Sequence, residues 1–340
     1  MGRVTLSFAA GTTSRIQPLL SGEVQPDGIS LELSVLSAAE IFWVMQESEP
    51  YDVAEMSLTG YLWAVGHGKR WIALPVFPAW VYGCHTETLV NKESGIERPE
   101  DLRGKRVGVP EYAVTAIGWI RDAWERDAGL RREDIIWCEE RTAAASHYRP
   151  WGYQPPGHIP VESIPTDRCL SEMLISGEID AVTRYFGAHP PLTKAPLADR
   201  SSLTLTDLSV HPNVRWLYSD RVAAAHEYQH RIGSPQPIHC VVIKCDVLER
   251  HPWVARSLYA AFVKTMLRTR DAETIGPVRT SFPFPASEQQ RIFGDGFLPC
   301  GLAGMNRTMV ARLIELAAKD GLVIGDLPAV EDLFHEDLRD

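Results

Sequence analysis

The sequence predicts an α/β protein built as two lobes, and three observations carry that prediction. Short β-prone runs alternate with stretches whose apolar residues recur at helical spacing. Two such alternations are separated by a polar passage, Glu97-Arg98-Pro99-Glu100-Asp101-Leu102. At 340 residues the chain is too long for one small core and comfortable for two of ordinary size.

The elements follow in order. Val4–Phe8 alternates as a first strand, Gly11-Thr12-Thr13-Ser14-Arg15 turns, and Ile16–Leu20 is helix-like. Pro26-Asp27-Gly28 turns again into the strand Ile29–Leu33, Ala38–Gln46 reads as a helix, and Tyr51–Ser57 as a third strand. Ile72–Pro78 adds a strand at the lobe's edge. Beyond the polar passage, Gly104–Val109 and the residues after it begin the second alternation, which continues with a helix at Leu170–Leu174 and a strand at Ile179–Val182. Ahead of that helix, Tyr148–Pro165 is rich in Pro and Gly and reads as a loop. A strong strand, Cys240–Ile243, precedes a long amphipathic helix with Val254, Leu258, Ala261, Phe262 and Met266 on one face. The C-terminal part is helical, most clearly over Thr308–Lys319.

Composition removes several function classes. The formal net charge is −10, from 34 basic and 44 acidic residues, which argues against a non-specific hold on nucleic acid phosphates. No segment approaches the roughly 18 uninterrupted apolar residues of a membrane span. The first residues enter a strand pattern without an apolar leader, so the chain as given reads as cytoplasmic. Six cysteines are scattered without a C-x-x-C pair, which fits thiols in a reducing compartment and no zinc site. Oligomeric state, monomer or homo-oligomer, is not legible.

The junction Gly104–Tyr112 running into Ala113–Arg121 is strand, tight loop and helix, with Val114, Ile117, Ile120 and Trp124 at helical spacing. Such a junction aims backbone N–H groups and a helix N-terminus at one place, which favours a small carboxylate there. Glu111 and Thr115 could add side-chain contacts. An ordinary βα connection with capping side chains fits the same residues.

Several longer motifs then converge. Tyr51–Leu58, Pro75-Val76-Phe77-Pro78, Gly104–Tyr112, Gly177-Glu178-Ile179-Asp180-Ala181, His239–Ile243, His251–Ala255 and Pro299-Cys300-Gly301-Leu302 with Asn306-Arg307 resemble, in order, the 4,5-dihydroxyphthalate decarboxylase family. The resemblance spans nearly the whole chain. It implies a type II periplasmic-binding-protein-like fold, two lobes around a ligand cleft, drawn here as 1–90 plus 236–340 and 91–235. It also implies a cofactor-free carboxy-lyase that turns 4,5-dihydroxyphthalate into protocatechuate and carbon dioxide, with no metal ligand assigned. The partner is then a small aromatic carboxylate.

That chemistry needs a positioned acid to protonate the ring carbon and cations to hold the second carboxylate. His239 and His85 are the candidate proton donors, and Glu55 could orient a histidine or a ring hydroxyl. Arg15 and Arg184 are candidate carboxylate clamps, with Ser57, Glu111, Tyr112 and Thr115 lining the substrate. The bland alternatives are a solvated arginine, a buried structural carboxylate and structural histidines. The expectation is that Gly104–Arg121 grips the substrate while the proton comes from the opposite side.

The chain departs from the family pattern at Ala79–Cys84, where basic and aromatic residues are expected, at Cys300 in place of an aromatic, and at Pro235-Gln236-Pro237 before His239. These departures bear on the substrate more than on the fold. A different hydroxylated aromatic acid, or a non-catalytic solute-binding role for a small aromatic carboxylate, therefore stays open. His226-Glu227-Tyr228-Gln229-His230 matches the H-E-x-x-H zinc pattern, but no third ligand is evident nearby and a solvated helix face is the simpler reading.

Overall fold

The computed structural model describes residues 3–183, 199–204, 206–234, 236–273 and 299–338. The chain divides into two units, Met1–Tyr82 with Gly233–Glu315 and Val323–Asp340, and Gly83–Ile232 with Leu316–Leu322. Residues 83–90 and 316–322 thus cluster with the second unit.

The first unit is organised by a five-stranded sheet in the order Ile29–Val35, Val4–Ala10, Val53–Ser57, His239–Lys244, Trp71–Leu74. The first three strands are parallel, as the β-α-β pattern predicts. The sheet is nevertheless mixed, because the late strand His239–Lys244 inserts between two earlier ones and runs against both. Val53–Ser57 is buried along its whole length, as befits a central strand. Ser37, whose side chain accepts from Glu40 N at 3.2 Å, starts the helix Ala38–Glu47. The long helix Val254–Glu273 turns its predicted face, Val254, Leu258, Ala261, Phe262 and Met266, into a core shared with Phe8, Val53, Leu74, Val241 and Ile243. Phe8 and Phe262 meet edge to face at 5.9 Å.

The second unit carries a six-stranded sheet in the order Val214–Trp216, Thr88–Asn91, Ala181–Thr183, Arg106–Val109, Ile136–Glu139, Val161–Ser163. The last four run parallel, and Thr88–Asn91 runs against both of its neighbours. Val161–Ser163 lies inside the Pro- and Gly-rich stretch read as a loop; three residues suffice to add an edge to the sheet. Gly108 is needed for packing, since a Cβ there would stand 2.6 Å from Leu170 Cδ2 and 2.9 Å from Ile179 Cδ1. The helix Thr115–Ala128 is buried on all sides from Thr115 to Trp124. Among the described residues, no helix is long and apolar enough to cross a membrane.

Candidate active site

Strand register builds the site of the first unit. His239 lies opposite Ser57, and Val241 opposite Glu55. Side chains alternate along a strand, so Ser57, Glu55 and His239 share one face and His239 meets Glu55 diagonally. Its Nδ1 lies 2.6 Å from Glu55 Oε1, and Glu55 Oε2 accepts from Gly11 N at 2.8 Å. Phe42 meets the imidazole edge to face at 4.9 Å, which fixes the ring plane. The residues come from C-terminal strand ends and their loops: Gly11 after Val4–Ala10, Ser57 ending the central strand, and His239 at the start of the strand that runs the other way.

The electrostatics divide the labour within the pair. Glu55 is 1% exposed, while the His239 side chain keeps 16% exposure. Burial raises the Glu55 pKa, but the hydrogen bond and charge of His239 and the Gly11 N–H outweigh it and hold the carboxyl below its ordinary value. An ionised carboxylate only accepts, so Nδ1 carries the proton and Nε2 is the nitrogen left to exchange one. Ser57 uses its hydroxyl locally, 3.3 Å from Thr59 Oγ1 and accepting from Gly60 N at 3.4 Å. It secures the turn from the central strand into the helix Leu58–Gly66.

Arg15 belongs to the same unit. Its guanidinium lies over the Trp80 ring at 4.5 Å, and Nη1 donates to the Pro78 carbonyl at 3.5 Å. The neighbouring Ala79 carbonyl accepts from Ile238 N at 3.0 Å and His239 N at 3.2 Å. The segment under Arg15 is thus tied to the strand that carries His239.

The second unit treats its predicted site residues differently. Glu111, Tyr112 and Thr115 are 2%, 0% and 2% exposed. The βα junction does attract carboxylates, but those it holds are the protein's own: Tyr112 N donates to Glu139 Oε1 at 2.7 Å. Glu111 accepts from Ser146 Oγ, from Arg141 Nη1 at 3.3 Å and from His147 N at 3.4 Å. Burial pushes its pKa up to about 7 against the pull of Arg141 and Ser146. The Tyr112 hydroxyl donates to Asp320 at 3.0 Å, and Asp320 also accepts from Arg121 and Arg132, each at 2.5 Å. Tyr153 closes the group by donating to the Asp320 carbonyl at 2.9 Å.

His85 is 1% exposed, packed against Tyr218 and Tyr228 with ring centroids at 5.2 and 4.7 Å. Burial, aided by the charge of Arg231, lowers its pKa to about 3, so the ring is neutral near pH 7 and has no imidazolium proton to give. Arg184 lies outside the described residues. His226 and His230 sit on the helix Arg221–Ile232, where Glu227 pairs with Arg231 at 2.9 Å. Among the described residues no group of three or more His, Cys, Asp or Glu is gathered as metal ligands would be.

Sequence reasoning overlooked Gly11, Phe42, Trp80 and Asp320. Trp80 lies inside the segment Ala79–Cys84, singled out in the sequence as a departure from the family pattern. Phe42 looks like any apolar residue on a helix face, and nothing local marks Asp320 as the partner of arginines nearly two hundred residues earlier.

No protein-family model matches the chain. A 4,5-dihydroxyphthalate decarboxylase of Comamonas testosteroni is 31% identical over 341 residues, covering 98% of this chain and 97% of that protein. Another from Pseudomonas putida is 34% identical over 241 residues, 71% of this chain and 87% of that one. Among solved structures, the sulfonate-binding protein SsuA of Methylobacillus flagellatus KT superposes with a TM-score of 0.56 at 13% identity, covering 98% of this chain and 92% of that one. SsuA of Escherichia coli gives 0.54 at 13% with 99% of both chains, and the desulfurization enzyme DSZB gives 0.54 at 14%, with 98% and 96% covered. These structural likenesses show the fold, a two-lobed one of the type II periplasmic-binding-protein kind. Identity of this extent across almost the full length places the chain in the 4,5-dihydroxyphthalate decarboxylase family.

Proposed function

We propose that the protein decarboxylates 4,5-dihydroxyphthalate to protocatechuate and carbon dioxide. The observation that carries this reading is the buried Glu55 carboxylate gripping His239 through Nδ1 at 2.6 Å, in a chain of this family. Each carboxylate of that substrate is para to a hydroxyl. When the ring carbon bearing the carboxylate takes a proton, the hydroxyl supplies the electron pair. The carbon–carboxylate bond then breaks, its electrons restore the aromatic ring, and carbon dioxide leaves. One proton enters and one carbon dioxide departs, with the ring as its own electron reservoir.

His239, protonated, donates from Nε2, and Glu55 stabilises the imidazolium and fixes the ring. General acid catalysis of this kind contributes about 10²–10⁴-fold. Arg15 holds the carboxylate that is retained, a task suited to a planar guanidinium. Ser57 anchors the strand end, while His85, Glu111, Tyr112 and Thr115 maintain the interior of the second unit. The six thiols, all free, support a cytoplasmic setting.

Product chromatography tests the reading. Purified protein is incubated with 4,5-dihydroxyphthalate and, in parallel, with hydroxylated benzoates and other phthalates. Protocatechuate and carbon dioxide are expected from the first, with most turnover lost in His239→Asn at an unchanged melting temperature. Tight binding without product from any acid would place the protein with the solute-binding proteins that share its fold.

A further inference from the structure

We propose that Trp80 is a positioning residue for the substrate's retained carboxylate, acting through Arg15. The inference rests on the decarboxylase reading and adds a residue to it. Trp80 is 4% exposed, and the Arg15 guanidinium carbon stands over its ring, 4.5 Å from the centroid. A long arginine side chain loses rotamer freedom when it clamps an anion, and a stacked one has already lost it. A cation–π contact engages a guanidinium through its face while a carboxylate binds at its edge, so the two contacts do not exclude each other. The Nη1 bond to Pro78 O fixes a second point, so the fork has a defined direction.

The same segment is bound to the catalytic strand. Trp80 pairs with Pro237 in a short antiparallel ladder, and Ala79 O receives both Ile238 N and His239 N. The ring that orients the clamp and the imidazole that delivers the proton therefore share one backbone frame within the first unit. That frame fixes which carboxylate is held and which ring carbon faces Nε2. The departure from the family pattern at Ala79–Cys84 is thus where this chain sets its own carboxylate geometry.

The test separates grip from chemistry. Trp80→Leu should raise KM by roughly 3- to 30-fold, the span of a partly desolvated cation–π contact. It should leave kcat within about twofold and the pH profile of kcat in place, and Trp80→Phe should restore KM. In an Arg15→Leu background, Trp80→Leu should add less than about twofold. Calorimetric titration gives a readout independent of turnover: phthalate and protocatechuate, which carry a carboxylate, weaken in Trp80→Leu, and catechol, which has none, does not. If Trp80→Leu misfolds by its melting curve, Arg15→Lys, which keeps the charge and loses the planar stack, must give the same selective weakening. Equal losses for catechol and protocatechuate, or a fall in kcat with KM unchanged, would overturn the inference. Absence of turnover in the unmodified protein would sink the decarboxylase reading alone, since the titrations still decide the role of Trp80.

Discussion

Glu55→Gln isolates the step on which the chemistry turns. The substitution is nearly isosteric and leaves an amide oxygen to accept from Gly11 N, now at 2.8 Å from Glu55 Oε2. It removes the negative charge that faces His239 Nδ1 at 2.6 Å in a site that is 1% exposed at Glu55. A hydrogen bond to a charged partner contributes about 1.5–3 kcal/mol net. Here that contribution grows as the imidazole becomes imidazolium, so its loss falls on the protonated acid and hence on the barrier. At about 1.4 kcal/mol per decade, kcat should drop roughly 10- to 150-fold. KM should change little, the clamp being elsewhere. Single-turnover formation of protocatechuate, followed by quenched chromatography from pH 5 to pH 9, measures both effects. A Glu55→Gln enzyme with kcat within twofold of wild type would refute the assignment of Glu55 as the partner of the acid.

The second unit yields two stability predictions. Asp320→Ala leaves the guanidinium groups of Arg121 and Arg132 buried without the carboxylate that both now contact at 2.5 Å, and should cost about 3–5 kcal/mol in urea unfolding; a loss under 1 kcal/mol would show the charges are reached by water. Burial pushes Glu111 up to about 7 from the 4.5 of a free glutamate, so between those values the folded protein holds a proton that the unfolded chain has released. Stability therefore falls as pH rises from 4.5 to 7, by at most about 3 kcal/mol at 1.36 kcal/mol per unit. Glu111→Gln should flatten that slope, and identical urea midpoint differences at pH 5 and pH 8 would contradict it.

Most of the fold was legible because it rests on local pattern. The face Val254–Met266 is buried as its spacing requires, and Val53–Ser57 lies in the sheet centre. What was not legible depends on chain reversal. Alternating strands and helices suggest parallel sheets, but the strand His239–Lys244 arrives after some 150 residues spent in the other unit and inserts in the opposite sense. Nothing in its composition records a direction. The reversal is also what makes the site, since an antiparallel partner puts His239, at its beginning, level with Ser57, at the end of the central strand.

The site divides along the same line. His85 and His239 look alike in sequence, each a lone histidine in an apolar neighbourhood, and both were candidates for the acid. Their surroundings part them: His85 meets two tyrosine rings and gives up its proton to burial, whereas His239 meets a carboxylate and keeps part of its surface. The deciding partner, Glu55, is 184 positions away in the chain. Glu111 shows the converse. The junction physics that favours a carboxylate at a strand-to-helix turn is correct, but the effect is indifferent to the carboxylate's origin, and Glu139 of the adjacent strand reaches Tyr112 N at 2.7 Å. A helix N-terminus with an acidic residue already on the next strand is therefore occupied before any ligand arrives. In the first unit the Arg15 guanidinium stands 4.5 Å from the centre of the Trp80 ring, and on that charge–aromatic pair the proposed carboxylate clamp rests.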